Sequence, residues 1–153
     1  MSLDVSLIVE NPVLKSGTGV YVRRHGKTVE LTKEEVKEMF NTNVIAVEYE
    51  TTEVYENNIT HNLTDMADAV KITENLTLYD VIWRPEEQKG IEKAGDLISY
   101  LNLGLIHLRD NPELYKTFNP SNGWGSYDIF VQFVESYYQA CLEFPNAKIE
   151  VSR

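Results

Sequence analysis

An α+β fold, a mostly antiparallel sheet with helices packed on one face, is what the sequence predicts, on three observations. Leu3-Asp-Val-Ser-Leu-Ile-Val9 alternates apolar and polar residues as a half-buried strand does. Lys148-Ile-Glu-Val-Ser152 alternates in the same way at the other end. Between them, after Asn58, the apolar period lengthens to that of a helix. Antiparallel pairing of the closing strand with the first would tie both ends into one sheet.

A chain of 153 residues suits one domain with a real core. Its 42% apolar and 25% charged content is that of a folded rather than a disordered chain. Residues 10–50 read as a hairpin-and-helix subregion of insertion character, and 51–153 as a mainly helical part with a closing strand.

Taken in order, Asn11-Pro12 is expected to end the first strand. Lys15-Ser-Gly-Thr-Gly19 reads as a flexible loop, because its glycines lack the length and the Lys-Ser/Thr ending of a phosphate-binding loop. Val20–Arg24 and Lys27–Leu31 flank the two-residue turn His25-Gly26 and form a hairpin. In Thr32-Lys-Glu-Glu35 the hydroxyl accepts from a first-turn N–H while Glu35 reaches back, with Leu31 and Val36 in the staple positions. That helix has Val36, Met39 and Phe40 on its apolar side, and Asn41 closes it. Asn43–Tyr49 is a nearly unbroken apolar run, expected as a central strand that Glu53-Val-Tyr55 extends or flanks.

A helix capped by Asn58 follows, with the stripe Ile59, Leu63, Met66, Ala67 and Val70. A shorter one covers Thr77–Ile82 and stops before Trp83-Arg84-Pro85, since a residue preceding proline avoids helical angles. Glu92–Arg109 is a long helix with Ala94, Leu97, Ile98, Leu101, Leu105 and Leu108 on its core face, and Gly104 costs it something. Asn111, as cap, and Pro112 restart a single turn. Ser126 and Asp128 start the last helix after a turn-rich loop. Its Ile129, Phe130, Phe133, Val134, Tyr137, Ala140, Cys141 and Phe144 make the broadest apolar face, and Pro145-Asn146 stops it.

The formal net charge of −10 is uneven. Residues 1–50 hold six Lys/Arg against eight Asp/Glu, and residues 51–153 eight against sixteen, with no basic residue between Lys116 and Lys148. Such a surface repels phosphate backbones and anionic lipids, so no direct nucleic-acid or membrane binding is expected. A protein with a basic surface is the partner it suits. Arg23-Arg24-His25-Gly26-Lys27 is short and without neighbouring aromatics, and reads as an exposed turn. The single Cys141 leaves no disulfide framework and no companion at metal-binding spacing. No apolar run approaches membrane-spanning length and no signal peptide opens the chain, so a cytoplasmic protein is expected. On the same ground the Asn-x-Thr triplets at Asn58, Asn62 and Asn75 read as capping chemistry rather than glycosylation acceptors.

Chemistry-bearing residues gather in three stretches. In Asn58-Ile-Thr-His-Asn-Leu-Thr-Asp-Met66, His61 lies in the first helical turn, usable as general base, metal ligand or hydrogen-bond acceptor. Asn58, Asn62 and Asp65 lie within one turn of it, Asp65 at i+4. Two ligands at that spacing make no metal site without a third, and no His-Glu-x-x-His pattern is present, so neither metal nor cofactor is expected. A catalytic base at His61 stays open, although no nucleophile accompanies it. In Trp83-Arg84-Pro-Glu-Glu87 the extended Arg84 pairs with the glutamates or leaves them to the next helix. In Asn122-Gly-Trp-Gly125, Trp124 either plugs a core edge or anchors a partner, as Trp does in binding hot spots. Asn58, His61, Asn62, Asp65, Trp83, Arg84, Asn122 and Trp124 are therefore the candidate site residues, from three loops that could converge on one pocket.

Met1-Ser-Leu-Asp-Val5, Asn58-Ile-Thr-His-Asn62, Trp83-Arg-Pro-Glu-Glu87, Asn119-Pro-Ser-Asn-Gly-Trp-Gly-Ser-Tyr127 and Glu150-Val-Ser-Arg153 resemble blocks of a family of small uncharacterised proteins from tailed phages and prophages. The resemblance covers the start and most of residues 51–153, with 10–50 as a variable insertion. It implies the cytoplasm of a bacterial host or phage-infected cell, and it puts no catalytic role on any residue. Two functions from different classes are expected. One is an accessory protein that binds a host protein as a counter-defence or regulatory factor. The alternative is a small-ligand or nucleotide-binding protein, or a hydrolase, centred on His61.

Overall fold

The computed structural model describes residues 1–14, 21–40 and 47–153. The expected loop at Lys15–Gly19, the closing Asn41 and the start of Asn43–Tyr49 lie outside the described residues. In chain order the strands and helices are β1 (Ser2–Leu14), β2 (Tyr21–Arg24), β3 (Lys27–Glu30), α1 (Lys33–Phe40), β4 (Val47–Thr60), α2 (Thr64–Ala69), β5 (Lys71–Thr73), β6 (Leu76–Thr77), α3 (Leu78–Trp83), α4 (Ile98–Asp110), α5 (Pro112–Lys116), α6 (Tyr127–Glu143) and β7 (Lys148–Ser152). Single 3-10 turns lie at His61–Leu63, Pro85–Glu87 and Ala94–Leu97. The chain divides into two compact units, residues 10–52 and Met1–Val9 with Glu53–Arg153, so the division falls within β1 and within β4.

In the larger unit the sheet has the order β4-β1-β7, and β7 runs antiparallel to β1 with Asp4 opposite Ser152 and Ile8 opposite Lys148. Leu3, Val5 and Leu7 are fully buried while Asp4 is exposed, so β1 turns one face to the core. Helices α2, α3, α4 and α6 supply most of the rest of that core, which includes Trp83, Phe130, Tyr137 and Leu101. The fold is α+β, with helices packed against an antiparallel sheet. Gly104 sits where α4 meets α3, and a Cβ built there would lie 2.8 Å from Leu78 Cδ1. The glycine that weakens the helix lets the two helices approach.

In the smaller unit β2 and β3 pair from Tyr21–Glu30 to Arg24–Lys27. His25 and Gly26 both take positive φ, 52° and 76°, as a two-residue hairpin turn of this hand requires. Thr32 Oγ1 accepts the Glu35 N–H at 3.2 Å, and Glu35 accepts the Thr32 N–H at 3.4 Å, above buried Leu31 and Val36. Arg24 pairs with Glu35 at 2.7 Å, and that hydrogen bond, with the Thr32 N–H, holds the Glu35 carboxyl below its ordinary range.

Several expectations need correcting. β1 does not end at Asn11-Pro12; it continues to Leu14. Its last β7 partner is Ile8, so Pro12 lies where β1 has an open edge among the described strands, and an open edge accepts proline. Only the last three residues of Asn43–Tyr49, expected as a central strand, fall among the described residues, in β4, which is at the edge of the sheet among the described strands. Its exposed Glu53 and Glu56 suit that place, because charged side chains discourage further pairing. Met39 and Ile129, expected on apolar faces, are exposed. The long helix begins at Ile98 rather than Glu92, after a 3-10 turn. Asn111 makes no cap hydrogen bond, because its side-chain amide donates back to the His107 carbonyl at 3.2 Å. The β5–β6 hairpin was not expected.

Candidate functional site

The β-to-α switch is set by the sheet and not by Asn58. β4 stays extended through Thr60, and the His61 N–H donates to the Met1 carbonyl at 3.3 Å. Asn58 is consequently an exposed strand residue, which overturns its expected role as cap. The cap passes to Thr60, whose hydroxyl oxygen accepts the Asn62 N–H at 3.3 Å. The expected apolar stripe then follows, with Ile59, Leu63, Met66, Ala67 and Val70 all buried.

His61 is anchored by Trp83, whose Nε1–H donates to His61 Nδ1 at 3.0 Å. An indole N–H can only donate, so Nδ1 is the acceptor and the ring carries its hydrogen on Nε2. One nitrogen is thus engaged and the other is itself a donor. A general base needs a free lone pair, and this arrangement presents none. Trp83 is 1% exposed, stacked on Tyr79 at 5.6 Å and tilted against Phe130 at 6.4 Å. Its body is core, and His61 satisfies its one polar edge.

Arg84 ends α3, where its Nε donates to the Tyr79 hydroxyl at 3.1 Å and its guanidinium pairs with Glu87 at 3.2 Å. Among the described contacts none brings Arg84 to His61. Arg153, which the sequence did not single out, donates to the Trp83 carbonyl at 2.7 Å and pairs with Glu86. No local signal could reveal a partner seventy residues away.

The third stretch is braced from within. Asn119 Oδ1 accepts the Tyr127 N–H at 2.7 Å, and Asn122 Oδ1 accepts the Trp124 N–H at 2.9 Å. Gly125 has a φ of 102°, and a Cβ there would lie 2.9 Å from Thr60 Cγ2 and 3.0 Å from Leu63 Cγ. Both the backbone conformation and the close approach demand glycine. Trp124 is 71% exposed, so it plugs nothing.

Two of the three stretches therefore meet residues 60–63, one through Trp83 on His61 and one through Gly125 on Thr60 and Leu63. Asp65 instead borders a depression of about 290 Å³ with Thr64, Asp68, Tyr79 and Asp80. Of these, Asp80 had a legible signal: with Thr77 it forms a capping box, Thr77 N–H to Asp80 Oδ2 at 2.9 Å and Asp80 N–H to Thr77 Oγ1 at 3.3 Å. Asp68, which accepts from the Thr77 hydroxyl at 3.1 Å, and Tyr79 had none. Among the described residues, no group of three or more His, Cys, Asp or Glu side chains is placed to hold a metal ion. No helix among them is long and apolar enough to cross a membrane. Compared with known proteins, the chain matches no family model, no curated protein and no solved structure.

Proposed function

We propose that the chain is an accessory protein of a tailed phage or prophage, acting in the bacterial cytoplasm by binding a host protein that presents a basic surface, with counter-defence or regulation as the outcome. The observation that best supports it is Trp124, an indole 71% exposed on a loop braced by Asn119, Asn122 and Gly125. Burying such a side chain at an interface contributes on the order of 2–4 kcal/mol, and a loop already fixed loses little entropy on binding. It lies in the stretch between Lys116 and Lys148 that has no basic residue, and the chain's net charge of −10 favours association with positive surfaces. The alternative, a hydrolase or nucleotide site centred on His61, gains nothing from a histidine whose Nδ1 is engaged by Trp83, nor from the carboxylates around Asp65.

Affinity capture from bacterial lysate, washed at low and at high salt, tests the reading. The native chain is expected to retain a host protein at low salt and release it at high salt. Trp124→Ala is expected to weaken retention by about thirtyfold or more. Retention of no host protein, or equal retention by Trp124→Ala at both salts, would remove it.

A further inference from the structure

We propose that the free edge of β7 receives an extended basic segment of the partner as an added strand. The proposal rests on the reading that this chain binds a basic protein, and it gives that binding a place and a mode.

β7 ends the sheet β4-β1-β7, so one of its edges has no strand beside it among the described residues. The start of that edge is covered. Ala94 N–H donates to the Ala147 carbonyl at 2.9 Å, and Lys93 bridges Lys148 in antiparallel fashion. Since the Ala147 carbonyl faces away from β1, alternation turns the backbone groups of Ile149 and Val151 to the same side, while Glu150 pairs with Ser6 of β1. Past the Lys93 bridge, the Ile149 carbonyl and the Val151 N–H and carbonyl face no strand among the described residues. These groups are a template for one more strand.

A groove of about 440 Å³ runs beside this edge, with Ile149–Val151 as one wall and Pro85, Glu86, Ile91 and Glu92 as the other. Glu86 in that lining pairs with Arg153, which also donates to the Trp83 carbonyl. The open length is about 10 Å at the rise of an extended chain, room for roughly three residues. Pro85 and Ile91 are buried and Ile149 and Val151 half-buried, which gives the groove an apolar lining. Glu92 and Glu150 are exposed and take part in no ion pair among the described residues.

A strand laid against β7 places alternate side chains on alternate faces. The residue opposite Val151 turns toward the apolar lining, and its neighbours lie beside Glu150. The segment that fits therefore alternates apolar and basic residues. A second copy of this chain fits poorly, because pairing β7 with β7 would bring Glu150 toward its own counterpart. Nucleic acid is repelled by the same carboxylates.

The peptide acetyl-Lys-Val-Lys-Val-Lys-amide, titrated into the full chain, tests the site, with exchange of the Val151 amide hydrogen as the readout. At a peptide concentration ten times Kd, exchange at Val151 is expected to slow about tenfold. The same peptide with N-methylated valines, which cannot donate to the Val151 carbonyl, is expected to give no protection. Glu92→Gln with Glu150→Gln is expected to weaken binding by about fivefold at low salt. Peptide binding that leaves Val151 exchange unchanged, or equal binding of the methylated peptide, overturns the edge site while leaving the wider reading of a basic partner standing. Protection at Val151 with no host protein captured by the native chain keeps the edge and removes that reading. No peptide binding overturns the edge site, and sedimentation showing dimers that Val151→Pro disperses overturns the proposal by giving the edge to a second copy.

Discussion

Tyr137 is fully buried, stacked on Tyr55 at 5.9 Å and tilted against Phe133 at 6.0 Å, and its hydroxyl meets no hydrogen-bond partner among the described residues. Burial pushes its ionisation well above the ordinary tyrosine value, so the group stays a hydroxyl. A buried polar group left unpaired costs about 1–3 kcal/mol, whereas removing it leaves the ring packing intact. Tyr137→Phe is therefore expected to raise stability by about 1 kcal/mol in urea denaturation. A loss of stability would show that the hydroxyl is bonded after all. Cys141, one turn along α6, has its thiol pushed up to about 12 by burial. An unfolded cysteine ionises near 8.5, so at pH 8 only the unfolded chain offers appreciable thiolate. Iodoacetamide is expected to spare the native protein and label it in urea. Labelling of the native chain at the rate of a free cysteine would contradict the burial.

At the scale of elements, two sites oppose local propensity to packing or charge. Replacing a mid-helix glycine by alanine gains up to about 1 kcal/mol of helix propensity. At Gly104 the new Cβ would stand 2.8 and 2.9 Å from the methyl carbons of Leu78, which is itself fully buried. Overpacking costs about 1–3 kcal/mol, so Gly104→Ala is expected to lower stability by about 1 kcal/mol net, read from thermal unfolding. Asp96 organises the approach to α4 by accepting the Glu92 N–H at 3.0 Å and the Lys93 N–H at 3.1 Å. Those two bonds hold its carboxyl below the ordinary carboxylate range. A lowered folded value means the stabilisation is complete above the unfolded value of about 3.9 and is lost as pH falls through the lower folded one. Asp96→Ala is expected to cost about 1 kcal/mol at pH 7, and the gap from the native chain should close on acidification. A gap that stayed constant with pH would show that the charge has no part in it.

For the molecule as a whole, charge sets the terms. A net charge of −10 means self-repulsion, which dissolved salt screens as the Debye length falls from about 30 Å at 0.01 M to about 8 Å at 0.15 M. Against this stand exposed pairs such as Arg109–Glu135 at 3.1 Å, each contributing about 0–1 kcal/mol and weakened by the same salt. With acidic residues outnumbering basic ones by ten, repulsion wins. Moderate salt is expected to raise stability on the order of 1 kcal/mol, about 2–4 °C in Tm for a chain of this size. A falling Tm would mean that the pairs dominate.

Where neighbours in sequence are also neighbours in space, the sequence was sufficient by itself. The His25-Gly26 turn, the Thr32–Glu35 box, the Ser126 cap and the stripe from Ile59 to Val70 follow from period, turn chemistry and capping, all of which act within one or two turns of chain. Only tertiary structure decided what depends on distant partners. Asn58 lost its capping role because pairing beside Met1 keeps β4 extended to Thr60, and strand hydrogen bonds outcompete a local cap. His61 became the acceptor for Trp83, which fixed its tautomer and took away the free lone pair that made it attractive as a base. Trp124 is exposed, while Gly125 beside it is the residue that approaches Thr60 and Leu63. No periodicity encodes such pairings, since they are set by which surfaces meet after the helices have packed.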